Sequence, residues 1–174
     1  MDTADGIGAG PSKRIEAMKD SRVGAIGVQS LVIILILQIA AIIKLDFYAP
    51  FAFPIAAFWG RLSQIFAIEN YEYIFNKEFG SIHQKYWRGI SKEIRPSLII
   101  IFIGIMLFLS TTNLILTTTL LLIYCISSGL ATSILIPHFI NKSLGGHNGD
   151  SYGAGLVITE TTNLLLLSII LVPT

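Results

Sequence analysis

Apolar residues along this chain come in long unbroken runs, without the alternating or three-to-four spacing of a soluble fold. Residues 23–43 form a 21-residue stretch without a charge, long enough to span the ~30 Å hydrocarbon core of a bilayer as a helix. Lys44 and Asp46 end it. Residues 47–68 are a second apolar stretch, broken by Pro50, Pro54 and Arg61. A polar, basic segment follows at 69–95, with Lys77, Lys85, Arg88, Lys92 and Arg95. Residues 97–110 form a third, shorter span, 111–113 a turn, and 114–136 a fourth span. A polar loop is expected at 137–153 and a last span at 154–172. The pattern predicts an all-α, polytopic transmembrane helical bundle of about five spans, in one domain covering residues 1–174.

Composition agrees. The chain is 53% hydrophobic and 13% charged, with a mean hydropathy of +0.70, whereas a soluble domain carries about 25% charged residues. An integral membrane protein with the lipid bilayer as its surroundings is expected. A net charge of +1 offers nothing to a nucleic acid. The one cysteine, Cys125, cannot form an internal disulfide, has no metal-ligand spacing, and reads as helix packing. The N-terminus lacks a signal-peptide layout, because acidic and glycine-rich residues come first. A homo-oligomer is left open.

Charge placement gives one orientation. Lys13, Arg14, Lys19 and Arg22 put the N-terminal segment in the cytoplasm under the positive-inside rule. Counting spans returns 69–95 and 137–153 to the same side. The expected location is a bacterial-type cytoplasmic (inner) membrane, with both acidic segments facing the cytoplasm.

Those two segments are the candidate chemistry. The first holds Asp2, Asp5, Glu16 and Asp20; the second, LGGHNGDSYGAG, holds Asp150 and precedes Glu160 in an apolar run. Charges beside or inside a bilayer are costly and are usually kept for a job, and carboxylates among glycines suit a hard divalent cation with phosphate. Asp2 and Asp5 can share a helix face, as can Glu16 and Asp20. Ser12 is placed to N-cap a short helix over about 13–21, with Ile15 and Met18 as its apolar side. Its cations, Lys13, Lys19 and Arg22, are placed to meet phosphate oxygens; the alternative is a solvated helix on anionic lipid heads. Gly145, Gly146 and Gly149 allow close backbone approach to a ligand, although a polar turn also needs glycine. Glu160 needs a partner, a proton or water. His147 is placed to donate to a phosphate. His138, after Pro137, reads as structural. Arg61 either snorkels to head groups or meets an anionic substrate. Tyr71, Tyr73, Tyr86 and Trp87 read as an interfacial aromatic belt, and Gly24 and Gly27 as points of close helix contact.

In order and spacing, these segments resemble the cobalamin synthase family, the adenosylcobinamide-GDP ribazoletransferases. The family pattern D-G-x-x-D-T-x-D-G, followed by a basic helix ending M-(K/R)-D-S-R-x-G, is matched by Asp2, Thr3, Asp5, Gly6, Met18, Lys19, Asp20, Ser21, Arg22 and Gly24. The later pattern L-G-G-x-T-G-D-x-x-G-A is matched by Leu144, Gly145, Gly146, Gly149, Asp150, Gly153 and Ala154. The resemblance covers nearly the whole chain. It implies a Mg²⁺-dependent reaction at the cytoplasmic membrane face. The α-phosphorus of adenosylcobinamide-GDP is attacked by the 5′ oxygen of α-ribazole or of its phosphate; GMP leaves, and adenosylcobalamin or its phosphate forms.

On that resemblance Asp2, Asp5 and Asp20 are expected to bind Mg²⁺, and Asp150 and Glu160 to be catalytic. Lys19, Arg22, Arg61, Gly145, Gly146, His147 and Asn148 are expected to bind substrate. Three departures stand out. Asn148 replaces the usual Thr, and Val157 stands where many members have Glu. The chain also begins inside the first motif, so it is expected to lack the leading Asp-Gly and the upstream helices, and with them most activity. The rival readings are a CDP-alcohol phosphotransferase, whose Ala-Arg pair after D-G is missing here because Ile7 to Gly10 follow Gly6, and a membrane transporter.

Overall fold

A computed structural model of the chain describes residues 1–74, 87–99 and 115–171. Two short helices, α1 (Asp2–Gly8) and α2 (Arg14–Lys19), precede four long ones: α3 (Ala25–Leu45), α4 (Ala49–Asn70), α5 (Ile115–Leu144) and α6 (Gly149–Leu171). Residues 90–99 are also helical. Among the described residues, three helical stretches are long and apolar enough to cross a membrane: Ala25–Asn70, Leu120–Leu144 and Gly149–Leu171. By length and composition they fit an integral membrane protein. The first stretch comprises both of the first two expected spans. The expected third span and the turn after it lie almost wholly outside the described residues, and the last two expected spans correspond to the second and third stretches.

The 21-residue apolar run becomes α3, and it ends where Asp46 takes a left-handed backbone with φ 46°. One 3₁₀ turn, Asp46–Tyr48, leads into α4, where Pro50 falls in the first turn and costs no helical hydrogen bond. Pro54 does not break the helix.

Helix α6 is the axis of the bundle and packs against α3, α4 and α5. It runs parallel to α3: Gln38 Nε2 donates to Thr161 Oγ1 at 3.0 Å, and Ala41 and Leu45 join a buried cluster with Leu164 and Leu167. It runs antiparallel to α4, along a seam of small buried residues: Ala49, Ala52, Ala56, Gly60, Ser63 and Ala67. These recur every three or four positions, one stripe of a helix, and let the two backbones approach closely. A Cβ added to Gly60 would lie 2.5 Å from Glu160 Cγ. On α5, Gly129 accommodates the Trp59 ring, and Ser133 Oγ donates to the Trp59 carbonyl at 2.9 Å.

Polar groups on α6 are bonded inside the bundle, as a low-dielectric surrounding requires. Thr159 Oγ1 donates to the Gly155 carbonyl at 2.7 Å. Asn163 Nδ2 donates to Thr132 Oγ1 at 2.9 Å and to the Thr159 carbonyl at 2.8 Å.

Two expectations are corrected. The polar stretch after residue 136 is mostly helix: α5 continues through a buried Pro137 to Leu144, and the loop shrinks to 145–148. Its polar residues, Asn141, Lys142 and Ser143, mark where the helix leaves apolar surroundings, and His138 is a mid-helix residue. Ser12 does not cap α2; Lys13 holds the N-cap position and makes no side-chain cap bond.

The small-residue seam yields a paired test. Ala56→Leu is expected to lower stability by about 1–3 kcal/mol through overpacking, read as a lowered Tm in detergent. Ala57→Leu, on the exposed side of the same helix, should leave Tm unchanged. Equal losses would contradict the seam.

Candidate functional site

The N-terminal segment and the glycine loop meet at one end of the bundle, where α6 begins. The contact starts from Asp5. Its carboxylate accepts the Gly24 N–H at 2.9 Å and the Gly27 N–H at 2.8 Å. It thereby caps α3, whose own N-cap residue, Gly24, has no side chain to do so. A Cβ on Gly24 would lie 2.7 Å from the Asp5 carboxyl carbon, and one on Gly27 3.0 Å from it. These glycines therefore admit a carboxylate, where the sequence suggests close helix contact.

Asp20 follows α2 as its C-cap. Arg22 folds back on it, with the backbone N–H at 2.9 Å, Nε at 3.2 Å and Nη2 at 3.0 Å. The Arg22 side chain and backbone donors hold the Asp20 carboxyl below its ordinary value. Asp5, Asp20 and Arg22 line an open cleft of about 350 Å³ above the start of α3, with Gly8, Ala17 and Gly24.

The second segment is built around His147. The ring is 1% exposed and lies between Tyr71 and Tyr152, with centroids at 5.3 and 5.4 Å. Its Nε2 lies 3.0 Å from the Pro137 carbonyl and its Nδ1 3.1 Å from Ser151 Oγ. The His147 backbone pairs with the chain after α4: its N–H donates to the Glu72 carbonyl, and Ile74 N–H donates to its carbonyl, both at 2.8 Å. Burial holds the imidazole below its ordinary value of 6.5, and the Pro137 carbonyl offsets part of that shift.

Asn148 caps α6. Its Oδ1 accepts the Ser151 N–H at 2.8 Å, and Ser151 Oγ accepts the Asn148 N–H at 2.8 Å, a reciprocal capping arrangement. Gly145 and Gly146 have φ of 80° and 149°. At Gly146 a Cβ would lie 2.8 Å from the Glu72 carbonyl oxygen, so this position admits only glycine.

The expected site residues therefore fall into groups. Asp5, Asp20 and Arg22 share the cleft. Asp2 is on α1 but does not line it. Lys19 ends α2, and Gly145 and Gly146 form the turn beside it at the same end of the bundle. His147 and Asn148 lie beneath the turn, occupied by bonds within the chain. Asp150 is exposed in the first turn of α6 and accepts from Asn148 Nδ2 at 3.2 Å, where a negative charge suits the helix N-terminus. Glu160 is ten residues further along α6, about 15 Å at a rise of about 1.5 Å per residue, half-buried against Gly60. Arg61 is exposed on α4, with Nη1 2.5 Å from Gln64 Oε1. Tyr71 and Tyr73 pack on the His147 loop instead of forming a belt, Trp87 donates to Glu69, and Tyr86 lies outside the described residues.

Among the described residues, no three His, Cys, Asp or Glu side chains gather closely enough to hold a metal alone. The donor set still fits Mg²⁺. That ion commonly takes one or two carboxylates and completes its shell with water and phosphate, and each carboxylate oxygen of Asp5 and Asp20 has lone pairs to spare.

The bundle and its bonded polar axis define a helical membrane protein with hard-oxygen ligands and cations collected at one end. The sequence profile of the cobalamin-5-phosphate synthase family matches residues 1–168, and the chain belongs to that family. A relative named adenosylcobinamide-GDP ribazoletransferase, from Prochlorococcus marinus (strain SARG / CCMP1375), is 51% identical over 173 residues, covering 98% of this chain and 66% of its own length. Relatives of the same name from Prochlorococcus marinus (strain MIT 9313) and Trichormus variabilis (strain ATCC 29413 / PCC 7937) are 39% and 34% identical, with the same coverage of each chain. The chain thus spans slightly under two thirds of the length of these relatives. No solved structure matches it.

The depressed His147 pKa sets a pH dependence. The unfolded chain takes up a proton near 6.5 while the buried ring resists it, so the stabilisation is full above that value and is lost as pH falls through the lower folded value. The Tm advantage of the protein over His147→Gln should therefore shrink between about pH 7.5 and about pH 5. An advantage that is constant over this range would contradict a buried neutral imidazole.

Proposed function

We propose that this chain carries the phosphoryl-transfer site of an adenosylcobinamide-GDP ribazoletransferase. The adenosylcobinamide phosphate moiety passes from adenosylcobinamide-GDP to α-ribazole or its 5′-phosphate, and GMP leaves. The observation that carries this reading is the cleft in which Asp5, Asp20 and Arg22 come together, in a chain of this family. Membership of the family favours it over the CDP-alcohol phosphotransferase and transporter readings. The site faces the cytoplasm of a bacterial-type inner membrane, as the Lys/Arg placement favours.

Asp5 and Asp20 would hold Mg²⁺, which would supply charge neutralisation for the diphosphate and the transition state. Arg22 already pairs with Asp20 and is placed to exchange that carboxylate for a phosphate oxygen, an equally good acceptor for a guanidinium. Asp150 is exposed at the mouth of α6, free to take the proton of the ribazole hydroxyl. Glu160 lies about 15 Å further along α6, half-buried against Gly60, and is not assigned that step.

Asp20→Asn is the cleaner test, because the Asp20 carboxylate bonds to Arg22, whereas Asp5→Asn also uncaps α3. Adenosylcobalamin formation from adenosylcobinamide-GDP and α-ribazole, measured in membranes at limiting Mg²⁺, should fall about a hundredfold or more with Asp20→Asn. Removing the outer-shell partners of a metal already costs about 10–100-fold. Near wild-type turnover would remove Asp20 from the site.

A further inference from the structure

A cation that the motif reading leaves out lies where the two segments touch. Met18 is buried with Ile140 and Leu144 at the end of α5, which docks α2 there. Arg14 stands one helical turn earlier on the same face. Its Nη1 lies 4.0 Å from the position a Cβ would take on Gly145, and no other atom comes within 4 Å of that position. The side chain is half-buried and its Nε–H is fully buried without an acceptor. No hydrogen bond or ion pair to a described residue satisfies the guanidinium, whereas Arg22 bonds to Asp20 and Arg61 to Gln64.

A desolvated charged donor without an acceptor is costly. The carbonyl end of α5 attracts a cation, yet no carbonyl there accepts from Arg14. The backbone at the start of α6 is open as well. Gly149 and Gly153 stand one turn apart on α6, and a Cβ on either would meet nothing within 4 Å. Packing does not require glycine at Gly153, where alanine would favour the helix by roughly 1 kcal/mol.

We propose that Arg14 is a phosphate-binding residue that clamps the diphosphate of the nucleotide-linked substrate against the bare turn beginning at Gly145. The proposal rests on the transferase reading above. The planar fork of arginine matches phosphate oxygens, and a bound phosphate supplies acceptors to its terminal Nη donors, of which Nη1 lies beside Gly145. The site joins α2 to the glycine turn and so makes the two segments one binding surface.

Arg14→Met and Arg14→Lys separate this role from a structural one. GDP is the binding probe, titrated calorimetrically into the detergent-solubilised protein, alongside steady-state kinetics with adenosylcobinamide-GDP. Arg14→Met should raise the GDP Kd and the KM about tenfold or more, leave kcat within about twofold, and leave Tm unchanged or higher, because an unpaired charge is gone. Arg14→Lys, which keeps the charge but loses the fork, should fall between. GDP binding by Arg14→Met as tight as that of the parent, with the parent active, would overturn the role of Arg14 and leave the transferase reading standing. A Tm that falls in step with affinity in both variants would also overturn it. With the upstream segment of its longer relatives added, a parent protein that neither binds GDP nor forms adenosylcobalamin would bring down both.

Discussion

A single buried imidazole ties three helix ends together. His147 reaches the Pro137 carbonyl of α5 with one ring nitrogen and Ser151 of α6 with the other, while its backbone pairs with Glu72 and Ile74 beyond α4. Tyr71 and Tyr152 cover its faces. A buried ring with both nitrogens engaged tolerates little displacement, so the turn above it, Gly145 and Gly146, is held in one shape. Helix α2 docks beside that turn, with Met18 against Ile140 and Leu144 at the end of α5, and the cleft depends on where it docks. His147, expected to bind substrate, is buried and bonded within the chain, where it supports the turn.

The second fixed point is the Asp5 carboxylate. It caps a helix that begins with glycines and so cannot cap itself, and it borders the cleft. One carboxylate therefore serves α3 and remains available, through its remaining lone pairs, to a cation. Among the described residues, the cleft is an open surface bordered by the carboxylates of Asp5 and Asp20. That suits a reaction in which the substrate brings most of the phosphate charge.

The apolar runs are legible as helices because a bilayer-length stretch without charge has few other uses. The two acidic segments are legible as one site because charge placement and span counting agree. What stays hidden has physical reasons. The seam from Ala49 to Ala67 lies in a run that is apolar on every side, so periodicity cannot select its buried face. Proline and polar residues after Ile136 read as loop, although a helix end outside the apolar zone has the same composition. Arg14 reads in the sequence only as a positive charge near the membrane, because its missing acceptor becomes visible only once Met18 is docked. Spacing alone also cannot show that His147 points inward. A capping residue such as Asn148, with Ser151 three positions on, is the available signal that this loop closes on a helix start.

The account depends most on the N-terminal segment and the glycine turn forming one surface at one end of the bundle. Single cysteines at Ser12 and at Ser143, each in a Cys125→Ala background, test this with a membrane-impermeant thiol reagent on sealed, oriented vesicles. Both positions should label from the same side and, in the double variant, cross-link with a short bifunctional reagent. Labelling from opposite sides would contradict the shared surface, and with it the site.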